Sequence, residues 1–156
     1  MPQTATATDK FLTFKLMKEC YAINVMQVVE IIRLQKITPV PHMPSHMKGV
    51  INLRGKVIPI LDLRERFGFK DVKSNEHTCI VVVQVSTPEK TVLFCGLIVD
   101  EVEEVLTISE SSIQPTPEVG NKAAAAYLSG VTTLHDQVRT ILDLPKLLSE
   151  ELSLKK

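Results

Sequence analysis

The sequence predicts a mainly β protein made of two small barrels with only brief helices. Three observations lead there. Two-residue alternation of apolar side chains outweighs helical periodicity. The strand-like runs are short and divided by turn residues. One fifteen-residue unit also occurs twice: Gly49–Leu63 reads GVINLRGKVIPILDL and Gly130–Leu144 reads GVTTLHDQVRTILDL, with eight identities at an offset of 81. Two earlier stretches repeat in the same order. Tyr21–Ile31 aligns with Cys95–Val105, and Ile37-Thr-Pro39-Val-Pro41 with Ile113-Gln-Pro115-Thr-Pro117. Such a repeat implies two similar folding units. At about 70 residues each, they are too small to bury a full core alone and should share an apolar interface.

Taken in order, Phe11–Leu16 and Tyr21–Val25 read as strands around a Met17–Cys20 turn, and Val28–Ile32 as a further extended segment or bend. Thr38–Pro44 is too proline-rich for regular structure. Pro44–Lys48 reads as one helical turn stopped by Gly49. Val50–Leu53 and Lys56–Leu61 flank a tight turn at Arg54-Gly55, where Gly55 supplies a positive φ. Asp62 caps a short helix over Leu63–Phe67, ended by Gly68, and the polar run Lys70–His77 separates the halves. Cys79–Val85 is β-branched enough for a buried strand, and a Thr87–Lys90 turn leads to a strand over Thr91–Val99. The repeated unit then returns. Asp143 caps a last helix with Pro145 in its first turn and Leu144, Leu147, Leu148 and Leu152 as its apolar positions. The expected organisation is one domain over 11–150, with halves at 11–70 and 78–150, possible exchange of terminal strands, and flexible tails at 1–10 and 153–156.

Lys plus Arg and Asp plus Glu are both 18, but their distribution is uneven. Residues 1–75 hold 12 basic and 6 acidic side chains, and residues 76–156 hold 6 basic and 12 acidic. This dipolar pattern suits head-to-tail contact between homologous units. It lacks the continuous basic surface and stacking aromatics of a nucleic-acid binder; there are two Tyr, five Phe and no Trp. Met1–Lys10 has no apolar core, so no signal peptide is read there. No apolar run reaches the roughly 18 residues of a membrane span. A cytoplasmic location follows as the expectation, with Cys20, Cys79 and Cys95 reduced and acting as small packing residues.

The run Lys48-Gly-Val-Ile-Asn-Leu-Arg-Gly-Lys-Val-Ile-Pro-Ile-Leu-Asp-Leu63 closely resembles the CheW family of bacterial chemotaxis coupling proteins. Further similarity covers the Val28-Val-Glu30-Ile segment, both Ile-x-Pro-x-Pro stretches, Gly96-Leu-Ile-Val-Asp100 and Ile141-Leu-Asp-Leu144. The resemblance implies two SH3-like barrels of five strands each around a shared hydrophobic core. It implies a non-enzymatic scaffold that couples methyl-accepting chemoreceptor tips to the regulatory domain of the histidine kinase CheA. Such a protein would be recruited to membrane-associated receptor arrays and could make CheW–CheW contacts, with no cofactor, nucleic acid or membrane insertion. By position, receptor contact falls to Val28, Glu30, Gly49, Asn52, Arg54 and Gly55. Kinase contact falls to the loop from Gln114 through Glu118 to Val119.

The two halves differ at the turn, Arg54-Gly55 against His135-Asp136. Arg54 is read as pairing with Glu30, where the second half has His135 and Glu104. Alternative chemistry is limited. His42 and His46 have metal-like spacing, but Pro44 interrupts them and no third ligand is near. Asp100, Glu101, Glu103 and Glu104 read as a solvated turn. A small enzyme or ligand-binding barrel using Asp100, Glu104 and His135 is the competing reading. Asp62 and Asp143 occupy one repeat position, and helix capping accounts for both.

Overall fold

In a computed structural model, described for residues 8–86, 90–114, 128–134 and 136–152, the strands form two five-stranded sheets. They are β1 (Thr8–Leu16), β2 (Glu19–Asn24), β3 (Val28–Arg33), β4 (Met47–Leu53), β5 (Lys56–Asp62), β6 (Cys79–Ser86), β7 (Val92–Val99), β8 (Glu101–Ser109), β9 (Leu128–Leu134) and β10 (Gln137–Leu142). Helix α1 spans Leu63–Arg66 and α2 spans Leu144–Leu152. Strand order is β8-β1-β2-β10-β9 in one sheet and β3-β6-β7-β5-β4 in the other. Shifting each strand of the first half by five places turns one order into the other. The third strand of each half, β3 or β8, therefore lies in the sheet that carries the other half's first two strands.

The repeat persists in the register. β5 meets β7 in parallel at Ile60↔Gly96, and β10 meets β2 in parallel at Ile141↔Ala22, which are equivalent positions. Bulges recur too. An extra residue falls at Val29 in β3 and at its counterpart Glu103 in β8. Another falls at Lys48 in β4 and at Ser129 in β9. Each bulge adds local twist, which helps a short sheet curl into a barrel.

The matched glycines have a steric cause. Thr38 pairs with Val50 through two backbone hydrogen bonds (2.9 and 2.8 Å), and Gln114 pairs with Val131 through two of 2.8 Å. These contacts lay Thr38 against Gly49 and Gln114 against Gly130. A Cβ on Gly49 would sit 2.0 Å from the Thr38 carbonyl oxygen, and one on Gly130 would sit 2.7 Å from that of Gln114. Gly49 also has φ +138°.

Alternation sorts side chains between cores. Leu12, Phe14 and Leu16 of β1, Val81, Val83 and Val85 of β6, and Cys95, Leu97 and Val99 of β7 enter one core shared by both sheets. The intervening Ile80, Val82 and Ile98 join Ile51, Ile58 and Ile60 inside one barrel. Phe11, Ala22, Ile108 and Ile141 fill the other. Because β6 is apolar on both faces over most of its length, Cys79–Val83 reads as an unbroken hydrophobic run that stops at the exposed Gln84. Leu144, Leu147 and Leu148 of α2 also enter the shared core. Phe14 stacks on Tyr21 there, with ring centroids 6.1 Å apart, and Phe67 packs tilted against Tyr21 at 5.7 Å.

The fold class holds, but local expectations change. Pro44–Met47 forms a single turn closed by the Met47 N–H on the Pro44 carbonyl, but β4 begins at Met47, so Gly49 lies inside the strand and does not stop a helix. Glu101, Glu103 and Glu104 are not a solvated turn. They belong to β8, where the bulge at Glu103 breaks the alternation that would have revealed a strand. The first strand begins at Thr8, so residues 8–10 are not tail. Residues 1–7 and 153–156 lie outside the described residues.

Candidate functional site

The β4–β5 hairpin turns through Arg54 (φ +52°) and Gly55 (φ +82°). Two positive φ values match the twist of a two-residue hairpin. Glycine carries the second without strain, whereas Arg54 adopts a conformation uncommon for its residue type. Asn52 helps hold it by accepting the Gly55 N–H at 3.0 Å. Arg54 then reaches Glu30 with both terminal nitrogens. Nη1 meets Oε1 and Nη2 donates to Oε2 at 3.2 Å. The bulge at Val29 re-aims β3 at this point, with Val28 opposite Val83 and Glu30 opposite Val82.

The fork is bidentate, the geometry in which an arginine is positioned best. Arg54 remains 74% exposed and Glu30 22%, so the pair contributes only about 0–1 kcal/mol to stability. Its chief effect is to orient an exposed guanidinium. Val29 and Ile31 on β3, and Val57 cross-strand from Asn52, are all exposed. Lys56 lies 3.7 Å above the Phe94 ring at the base of the turn.

The six positions assigned to receptor contact thus differ in kind. Glu30 and Arg54 pair, while Asn52 and Gly55 shape the turn that presents them. Val28 is partly buried against the shared core. Gly49 is buried in β4 beneath Thr38, and its requirement is steric. Gln114 uses its backbone to join β9, while Glu118 and Val119 lie outside the described residues.

A second polar centre went unrecognised in the sequence. Asp62 does cap α1, accepting from the Arg64 N–H at 2.9 Å. Its carboxylate also grips the Arg64 side chain, from Nε to Oδ1 and from Nη2 to Oδ2, both at 3.0 Å. Arg64 Nη1 reaches Asp100 Oδ1 at 2.7 Å and the Lys73 carbonyl at 3.2 Å. Asp100 Oδ2 accepts the Met17 N–H at 2.5 Å. Arg64 is 3% exposed. Burial opposes its charge, but hydrogen bonds and attraction from Asp62 and Asp100 outweigh that and hold its pKa above the ordinary value. The network ties α1, the 70–77 segment, the β1–β2 turn and the β7–β8 junction together. Its one sequence signal is the repeat mismatch of Arg64 against Pro145.

Of the competing constellation, only Asp100 and Glu104 fall among the described residues. Asp100 is committed to Arg64 and Met17, Glu104 is exposed on β8, and His135 lies outside the described residues. His46 pairs instead with Glu151 of α2 at 2.7 Å, and Arg66 holds the same carboxylate at 2.6 Å. Among the described residues, no three His, Cys, Asp or Glu side chains gather as a metal site. Cys95 is fully buried and its thiol is pushed up to about 12 by burial.

A CheW-like domain model matches residues 10–152, almost the whole chain. The chain belongs to the CheW-like domain family. The chemotaxis protein CheW of Klebsiella aerogenes is 36% identical over 146 residues, covering 94% of this chain and 85% of that one. A probable chemotaxis protein CheW of Rhizobium etli is 36% identical, covering 90% of this chain and 88% of its own. The crystal structure of the scaffolding protein TtCheW from Thermoanaerobacter tengcongensis superposes with a TM-score of 0.76 at 33% identity, covering 87% of this chain and 89% of that one. The two sheets are the paired SH3-like units of the CheW fold.

Proposed function

We propose that this CheW-like protein is a non-enzymatic chemotaxis scaffold that couples methyl-accepting chemoreceptor tips to the regulatory domain of the histidine kinase CheA. The observation that carries this reading is the Glu30–Arg54 clamp. It orients an exposed cation at the hairpin where the two repeats differ, and Val29 and Ile31 of β3 and Val57 of β5 are exposed as well. The arrangement suits a docking surface, since an apolar patch supplies affinity and an oriented charge supplies register. The relatives support the pathway, one being a chemotaxis protein and another a scaffolding protein. No described helix is long and apolar enough to cross a membrane. In this reading the protein works in the cytoplasm and reaches receptor arrays through its partners, with CheA engaged through barrel ends near Gln114.

Co-sedimentation with receptor-containing membranes and CheA tests the proposal. Wild-type protein should pellet with both partners, and Arg54→Glu should lose most of the receptor-dependent fraction while remaining folded. Equal pelleting of the two proteins would remove the hairpin from the receptor interface.

A further inference from the structure

The repeat fixes which residues face the inside of each barrel, and the two insides differ in chemistry. The first is lined by Ile51, Ile58, Ile60, Ile80, Val82 and Ile98. By repeat position and strand register, the second has Thr132, Arg139, Ile141, Phe11, Thr13 and Asn24 in their places. Two apolar positions survive and four become polar. Thr13, Thr132 and Arg139 are all buried, Arg139 to 3% exposure.

The two threonine hydroxyls are satisfied. Thr13 Oγ1 donates to the Glu104 carbonyl at 2.9 Å, and Thr132 Oγ1 lies 3.2 Å from Ser112 Oγ. They hold the shape of the barrel but bury less apolar surface than the valine and isoleucine they replace. Arg139 is the larger change, a charge where the first barrel has Ile58. Its Nη2 donates to Gln137 Oε1 at 3.1 Å. On β8, Glu103 Oε2 sits 3.7 Å from Lys15 Nζ, and Oε1 is buried without a hydrogen bond among the described residues. A well-packed aliphatic in place of a buried charge is often neutral or stabilising, so this interior holds its walls less firmly.

The attachment of the hairpin differs in the same sense. β10 meets β2 at Thr140↔Tyr21 and Ile141↔Ala22, whereas β5 meets β7 at Ile60↔Gly96, Leu61↔Leu97 and Asp62↔Ile98. Into the shared core the first hairpin sends Leu61 and Met47, both buried. The second sends Leu142 and the partly buried Leu128.

We propose that the molecule joins a stiff barrel to a compliant one, in which the β9–β10 hairpin lifts from β2 as a unit while the first barrel stays closed. Arg139 sets how often this happens. Strands β1 and β2 remain in place, because Leu12, Phe14, Leu16, Tyr21 and Ile23 anchor them in the shared core.

Native-state hydrogen exchange of the full chain, followed amide by amide by nuclear magnetic resonance across low urea concentrations, tests this. Amides of β9 and β10 should exchange at least about tenfold faster than the matched amides of β4 and β5, with one common urea dependence. Arg139→Ile gives the second barrel the residue of the first, and should slow β9–β10 exchange without changing β4–β5. Thr132→Val removes one buried hydroxyl and should act in the same direction by less. Equal protection of the two hairpins overturns the proposal. So does β9–β10 exchange that neither variant slows. An Arg139→Ile chain that fails to fold overturns it too, since the guanidinium would then be what holds the barrel shut.

Discussion

Asp62 and Asp143 share a repeat position and a capping role, yet their surroundings make their energetic weights unequal. Asp143 is partly exposed and bonds the Lys146 N–H. Asp143→Ala should cost about 1 kcal/mol, the ordinary value of a cap. Asp62 is buried and holds the 3%-exposed Arg64, so Asp62→Ala leaves a buried cation short of its main partner. That loss should be about 3–5 kcal/mol. Chemical denaturation of the two variants checks this, and equal losses would remove the special role of Arg64. Cys95 provides a pH test. Its folded-state pKa is raised from 9.0 to about 12, so the native state keeps a proton that the unfolded state releases. Its contribution is therefore fully present below pH 9 and is lost as pH rises toward 12, by on the order of 4 kcal/mol. Tyr21, raised chiefly by burial and then by its bond to Glu19, adds in the same direction. Urea melts across this range should show the decline, and Cys95→Val should make it shallower.

Among the elements, the two hairpin units show why certain letters repeat. Gly49 and Gly130 persist because a neighbouring backbone lies where a Cβ would go. Gly49 carries the closer approach and a φ of +138° as well. Gly49→Ala should therefore destabilise by about 3 kcal/mol or more, and Gly130→Ala by less, read from thermal melts. The reverse ranking would contradict the steric account. The same scale explains what was legible in the sequence. β1, β2, β4 to β7 and α2 follow from alternation, caps and turn residues. β8 was hidden because its bulge at Glu103 shifts the apolar phase between Val102 and Leu106. β3 was ambiguous for the same reason at Val29. The Arg54–Glu30 pair was readable because the halves differ at that turn. Arg64 was not, because a charged residue in a four-residue helix ordinarily faces solvent.

For the molecule as a whole, the two halves exchange their first two strands, β1–β2 for β6–β7, and this interlocks the two sheets. Each sheet combines two strands of one half with three of the other, and the shared core takes side chains from both. Asp100 and Glu151 add polar ties across the junction, to Arg64 and Met17 and to His46 and Arg66 respectively. A body built this way can hold the Arg54 hairpin in fixed relation to surfaces on the opposite barrel, as the proposed coupling role requires. The central claim is that the Glu30–Arg54 clamp presents the receptor-facing surface. The most direct measurement is a charge-reversal cycle of Glu30→Arg, Arg54→Glu and the double variant, scored by co-sedimentation with receptor-containing membranes and CheA. Each single reversal should lose most receptor-dependent pelleting with little change in melting temperature, and the double variant should recover part of it. Single variants that pellet like wild type, or a double variant no better than either single, would contradict the account.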